Sequence, residues 1–445
     1  MRLSQCMIVK NEERNIEKAL SWGKDIVWEQ IVVDTGSTDR TAELAKKMGA
    51  KVFYFPWQDD FSAAKNFAIS KASGDWIAFL DADEYFPPEE TKKVMPLLER
   101  YDKGGYYAVM TSWLQVREDE SIFAGGTQAR LFKRIEGLIY RNRIHEELSF
   151  RGMGITPYMA DATELLSIYH TGYAGSEAQN EKRGERNIRL LLMELKDHPD
   201  DYHLMCYLGD SHLTARKPKE AKKWYYKAIE RMPEKLNRHD IINATAFWKL
   251  MTVLVDENDE KALLELYEKA IRRLPQESDF DFILGRFYAQ KNEFKKAAFH
   301  LKRCLSLLET YGNANQGMVV TGDIPGTWEL LALSCYQTGA LGECVKYCTV
   351  LLKADPYRPT ALVLFLRAFQ KEDGDSGKNA EAVATFLERL YHMEQQKDRL
   401  LLLRAVKETG YSKLEELIRQ KCPEMELQEF DKAMAEYIEK AENQS

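Results

Sequence analysis

The first 84 residues alternate short apolar runs with helix-periodic segments, and this alternation constrains the fold more than any other feature of the chain. Leu3 to Val9 reads as a strand, followed by a helical segment in which Ile16, Ala19 and Leu20 share a face. Ile31-Val32-Val33 is a second strand ending at Asp34, and Thr35 to Asp39 supplies turn and capping chemistry for a helix that stops before Gly49. Lys51 to Phe55 is a third strand, Ser62 to Ala72 a third helix, and Trp76 to Leu80 a fourth strand. The order β-α-β-α-β-α-β predicts a sheet with parallel strands and helices on its faces, which binds ligands beyond the carboxyl ends of the strands.

Every polar cluster falls at such an end: Lys10-Asn11-Glu12, Asp34 to Asp39, Asp59-Asp60 and Asp81-Ala82-Asp83. A strand closing on Asp-x-Asp can offer carboxylates to Mg2+ or Mn2+, whose other positions substrate phosphates fill. One such pair is also ordinary turn chemistry. Four acidic or polar clusters on one rim point instead to a nucleotide and a metal.

These residues resemble a known family. Met7 to Glu12, Val33 to Asp39, Asp60 to Asn66 and Leu80 to Glu84 look like the successive motifs of family 2 glycosyltransferases with the GT-A fold. The resemblance implies a nucleotide-sugar donor site that includes Val9, Asn11, Glu12, Asp34, Gly36, Ser37, Asp60, Lys65, Asn66, Asp81 and Ala82. It implies Mg2+ or Mn2+ held by Asp81 and Asp83, with inversion at the anomeric centre. A subset with a helical-repeat tail, including bacterial S-glycosyltransferases of the sublancin type, matches the architecture most closely. Ile144-His145-Glu146-Glu147 resembles a His-Glu segment of that subset, which makes Glu146 the expected catalytic base and His145 its alternative. His170, which closes the apolar run before it, is a third candidate metal ligand. Gly125-Gly126-Thr127-Gln128 reads as a loop or hairpin turn between strands.

Beyond about residue 175 strand signals give way to Lys, Glu, Leu, Tyr and Ala at helical spacing. Leu208-Gly209, Ala221, Tyr225, Ala228 and Pro233 follow the tetratricopeptide order, and Leu250, Tyr267, Ala270 and Pro275 follow it again. A third copy runs through Leu284-Gly285, Ala297 and Leu301, and a fourth through Trp328, Leu331, Cys344 and Pro356. The expected organisation is a mixed-sheet α/β catalytic domain over 1–175, a linking helix over 176–200 and an all-α, TPR-like repeat domain over 201–445. Stacked repeats bury a continuous core and present a surface for an extended partner, so a peptide, protein or glycan acceptor is expected, or a homodimer formed through the repeats.

Composition excludes several classes. A net charge of −7 from 63 basic and 70 acidic residues gives no nucleic-acid signature. No apolar run reaches the roughly 18 residues of a membrane span, and the N-terminus lacks a signal-peptide pattern, so a cytoplasmic enzyme is expected. Seven cysteines cannot all pair internally. A nucleotidyltransferase would share the sheet and the metal, but Lys10 to Glu13 is not a Gly-rich phosphate loop. A non-catalytic repeat scaffold would need no intact Asp81 and Asp83. A glycosyltransferase acting on a cell-surface glycan or lipid-linked acceptor is the remaining alternative.

Overall fold

The computed structural model describes residues 1–117, 119–172, 177–237, 240–312 and 317–442, which form two compact units, Met1–Arg231 and Met232–Ser445. In the first, strands β1 (Leu3–Val9), β2 (Glu29–Asp34), β3 (Lys51–Tyr54) and β4 (Trp76–Phe79) alternate with helices α1 (Ile16–Ser21), α2 (Thr41–Lys47) and α3 (Phe61–Lys71), in the order read from the sequence. They pair in parallel as β3-β2-β1-β4. Leu3, Cys6 and Met7 of β1 are fully buried on a strand covered from both sides.

Past β4 the sheet becomes mixed. After β5 (Glu84–Tyr85) and α4 (Pro88–Lys103), β6 (Ala108–Val116) and β7 (Ile122–Lys133) form a long hairpin whose second strand runs antiparallel to β4. Gly125 and Gly126 lie inside β7 opposite Leu114 and Trp113, so the loop or turn expected there is a strand interior. Glycine marks turns by its freedom, but cross-strand pairing decides the outcome here. Strands β8 (Leu138–Arg141), β9 (Glu147–Phe150) and β10 (Met153–Gly154) build a separate sheet in the order β10-β9-β8. Strand β11 (Met159–Asp161) and strand β12 (Ser167–His170) return to the main sheet beside β6.

Helices α5 (Glu177–Asp197), α6 (Tyr202–Thr214) and α7 (Pro218–Arg231) complete the first unit. Leu190, Leu191, Leu204 and Leu208 bury against Ile144 of the sheet portion, with Trp57 and Phe61 packed around them. The α6–α7 pair, read from sequence as the first repeat of a separate domain, therefore shares a core with the mixed-sheet fold. Its repeat signature has a direct steric meaning, because a Cβ at Gly209 would stand 2.4 Å from the Tyr225 ring.

The second unit is helical throughout its described residues. Helices α8 (Ile241–Asp256) and α9 (Glu260–Arg273), α10 (Asp279–Gln290) and α11 (Phe294–Tyr311), and α12 (Ile324–Gln337) and α13 (Leu341–Ala354) are the paired copies. Leu250, Ala270, Leu284, Leu301, Leu331 and Cys344 occupy their expected buried positions. Helices α14 (Pro359–Asp373), α15 (Ala380–Leu387), α16 (Gln396–Thr409), α17 (Ser412–Arg419) and α18 (Glu424–Glu442) follow. All seven cysteines are free thiols.

Candidate active site

At the carboxyl ends of the parallel strands lies a polar cavity of about 500 Å3. Val9, Glu12, Lys65, Asp81, Ala82, Asp83, His145, Glu146 and His170, all named from the sequence, line it. Segments separated by more than a hundred residues therefore meet at one place.

Asp81 and Asp83 diverge. Arg130, reaching across from β7, donates from Nη2 to Asp81 Oδ2 at 2.8 Å and to Glu84 Oε1 at 2.5 Å. Glu84 also accepts from the Trp113 indole at 2.7 Å and from the Asp81 backbone at 2.9 Å. Burial alone would raise the Asp81 carboxyl, yet Arg130, Lys65 and His170 hold it below its ordinary value. Burial raises Glu84, Arg130 opposes the rise and the Asp81 charge adds to it. Asp83 instead faces His170, with Oδ2 and Nε2 3.2 Å apart. A Cβ at Gly172 would overlap that carboxylate at 1.7 Å, so the chain passes the pair only because this residue is glycine.

Asp83 and His170 are the donors that could hold a cation. Among the described residues no three His, Cys, Asp or Glu side chains stand close enough to form a complete cage. One carboxylate, with phosphates and water supplying further oxygens, is a usual way for Mg2+ to be bound. Burial, together with the Asp83 and Asp81 charges, raises the Glu12 carboxyl against the lowering effect of its hydrogen bond from Asn15.

On the opposite wall Lys65, 2 % exposed, forms an ion pair with Glu146. Burial would lower the lysine, but Glu146 and Asp81 hold it above its ordinary value and so charged. The loop carrying Glu146 is fastened from three sides. Phe61 N donates to Arg143 O at 2.9 Å and Ser62 Oγ to Asn142 O at 2.6 Å, both from α3. Arg143 reaches Asp197 of α5 at 2.7 Å, and its backbone N–H donates to Glu194 at 3.0 Å. His145 adopts a left-handed backbone (φ 52°) and stacks on Tyr207 of α6, with ring centroids 3.8 Å apart. Burial lowers its imidazole below the ordinary value, which keeps it neutral near pH 7.

The remaining sequence candidates are not among the residues lining this cavity, and hydrogen bonds to backbone groups engage most of them. Asp34 Oδ1 accepts from the N–H groups of Gly36 (φ 113°) and Ser37, at 2.8 and 2.7 Å. Asn11 N–H donates to Ser37 Oγ, and Asn11 Oδ1 accepts from Thr38 N–H. Asp60 caps α3 through Ala63 N at 2.8 Å. Asn66 clamps Tyr140 with both ends of its amide, each bond 2.9 Å. Burial pushes Tyr140 up to about 12, so its hydroxyl keeps its proton. Sequence reasoning missed Arg130, Glu84, Arg183 and Arg186. The last two line the cavity from α5, and with Arg189 they recur every third residue on one face.

Residues 4–164 match the family model described as glycosyl transferase family 2. Over these residues the chain is similar to that family. The chain is 29% identical over 276 residues to a TPR repeat-containing protein of Synechococcus elongatus, covering 61% of this chain and 66% of that one. It is 26% identical over 256 residues to the SPbeta prophage-derived glycosyltransferase SunS of Bacillus subtilis, covering 57% and 58%. The matches thus span less than two thirds of these curated relatives. Among solved structures, S. aureus TarS 1–349 in complex with UDP-GlcNAc is 15% identical at a TM-score of 0.36, covering 61% of this chain and 90% of that one. Among the described residues no helix is long and apolar enough to cross a membrane.

Proposed function

We propose that this protein is a metal-dependent, inverting glycosyltransferase that moves a hexose from a nucleotide sugar, UDP-glucose or UDP-N-acetylglucosamine, to a peptide or protein side chain. One observation carries the reading: in a chain similar to family 2 glycosyltransferases over residues 4–164, Asp81, Asp83, His170, Lys65 and Glu146 line a single cavity. In the reaction an acceptor O–H or S–H gives its proton to Glu146, and its lone pair forms the new bond at the anomeric carbon. The bond from that carbon to the diphosphate breaks, and its electron pair leaves on the nucleoside diphosphate.

This division of labour follows from the charges. Glu146 accepts the proton at its carboxylate, and Lys65 fixes that carboxylate in place. Asp83 and His170 would hold the cation, which would supply Lewis-acid stabilisation of the charge on the diphosphate. Arg183 and Arg186 add positive charge on the same cavity, where the leaving group gathers negative charge. The His145 ring stacks on Tyr207, which fixes the residue next to Glu146 in place.

Calorimetric titration of UDP-glucose, UDP-N-acetylglucosamine and UDP, with and without Mn2+, tests this. Metal-dependent binding that disappears in Asp83→Asn, with the fold intact by circular dichroism, is the expected result. A folded wild-type protein that binds none of these nucleotides would refute the proposal.

A further inference from the structure

A second cavity, of about 300 Å3, adjoins the first, and Gln128, Arg130 and Glu146 line both. Its other walls are half apolar, with Met110, Leu148 and Ile155 facing Thr156 and Tyr140. Two polar atoms there are buried and without a hydrogen-bond partner among the described residues: Tyr140 Oη and Arg130 Nε. The tyrosine cannot turn to find one. Its ring is wedged edge-on between Phe79 and Phe132, with centroids 5.5 and 5.7 Å away, and Asn66 clamps its backbone. A buried polar group left unpaired costs about 1–3 kcal/mol, and such exceptions ask for a ligand that completes them.

We propose that this second cavity is the acceptor subsite, and that it receives a hydroxyl- or thiol-bearing side chain from an extended peptide. The inference rests on the glycosyl-transfer reading and deepens it. A nucleophile seated there lies against Glu146, the residue that also faces the donor, so its proton has a direct acceptor while its lone pair meets the anomeric carbon. The Tyr140 hydroxyl hydrogen-bonds the incoming heteroatom, and the apolar wall takes the aliphatic stem.

Edge chemistry selects a peptide, since a cavity of about 300 Å3 would admit either one side chain or one sugar ring. Strand β10 is the edge of the small sheet, and its Gly154 lines the cavity. An open edge can pair with an extended backbone, which would hold the side chain over the opening. A saccharide acceptor would favour an aromatic face for stacking, but Tyr140, the one ring among the residues lining this cavity, is buried between two phenylalanines.

The test follows release of nucleoside diphosphate from UDP-glucose and UDP-N-acetylglucosamine by the full chain with Mn2+. Release is measured alone, with blocked hexapeptides carrying a central Ser, Thr or Cys, and with methyl glucoside. The peptides should raise release about tenfold or more and emerge with the mass of one added hexose. Gly154→Trp places a side chain where a Cβ has no neighbour within 4 Å, and should remove the stimulation without changing calorimetric donor affinity. Tyr140→Phe should lower stimulated release about tenfold, as expected for one lost hydrogen bond. Stimulation that survives in Gly154→Trp, peptides that do nothing, or stimulation by methyl glucoside with the peptides inert would each overturn the assignment. Failure of the wild type to bind any donor would instead overturn the glycosyl-transfer reading beneath it.

Discussion

Arg130 is the counter-charge for two carboxylates, so replacing it by methionine should expose how much of the site's architecture depends on that one guanidinium. Glu84 has a fully buried side chain, and Arg130 stands 2.5 Å from it and 2.8 Å from Asp81. Removing one partner of a buried ion pair costs about 3–5 kcal/mol, because the remaining charge is stranded away from water. Glu84→Gln, which keeps the shape but loses the charge, should cost about 1–3 kcal/mol. In the double variant the stranded charge is gone, so its cost should not exceed that of Arg130→Met alone. The cycle should then close with a coupling of at least the Glu84→Gln cost, about 1–3 kcal/mol. Urea unfolding reads this directly: with a slope of about 2–3 kcal/mol per molar, Arg130→Met should lower the midpoint by about 1–2 M, and adding Glu84→Gln should lower it no further. A midpoint within about 0.3 M of wild type for Arg130→Met, or strictly additive costs, would refute the claim that this triad holds Asp81 in place.

Other perturbations separate the remaining roles. Glu146→Gln should abolish transfer to acceptor while calorimetric donor affinity stays within about twofold, and near-normal transfer at saturating acceptor would exclude it as the base. Burial would raise Glu29, but Lys51, Ser73 and Ser4 hold its carboxyl at about 2, against an ordinary 4.5. Because the folded value is the lower one, this contribution is complete above about pH 4.5 and disappears as pH falls towards 2. It amounts to about 3 kcal/mol and should vanish from acid-unfolding curves of Glu29→Gln. A chain ending at Arg231 should fold and bind donor. One ending at residue 200 should do neither well, since it loses the Leu204 and Leu208 contacts beneath Ile144. Equal donor binding by the two truncations would contradict that account.

Sequence periodicity made the first four strands and three helices readable because each strand is short, apolar and punctuated. It could not reveal which polar strand-end residues face a ligand. Asp34, Asp60 and Asn66 satisfy backbone groups nearby or across the fold, while Asp83 and Lys65 line the cavity, and the residue types alone do not distinguish these uses. Arg130 could not be found from local pattern, because its partners lie 46 and 49 residues away. Helical spacing likewise showed that α5 and α6 each have an apolar face, but not that this face would be buried on the sheet that carries the chemistry.

The stacking of His145 on Tyr207 bears on how such chains can be recombined. Because α6 grips the residue next to the proposed base, the repeats cannot be exchanged at the point where strands end and helices begin. A chimera joined near residue 175 would inherit a foreign residue against His145 and a displaced loop beneath it. One joined after Arg231 would carry its own α6 with it. Helices beyond that junction could then be exchanged while the residues around Glu146 travel intact.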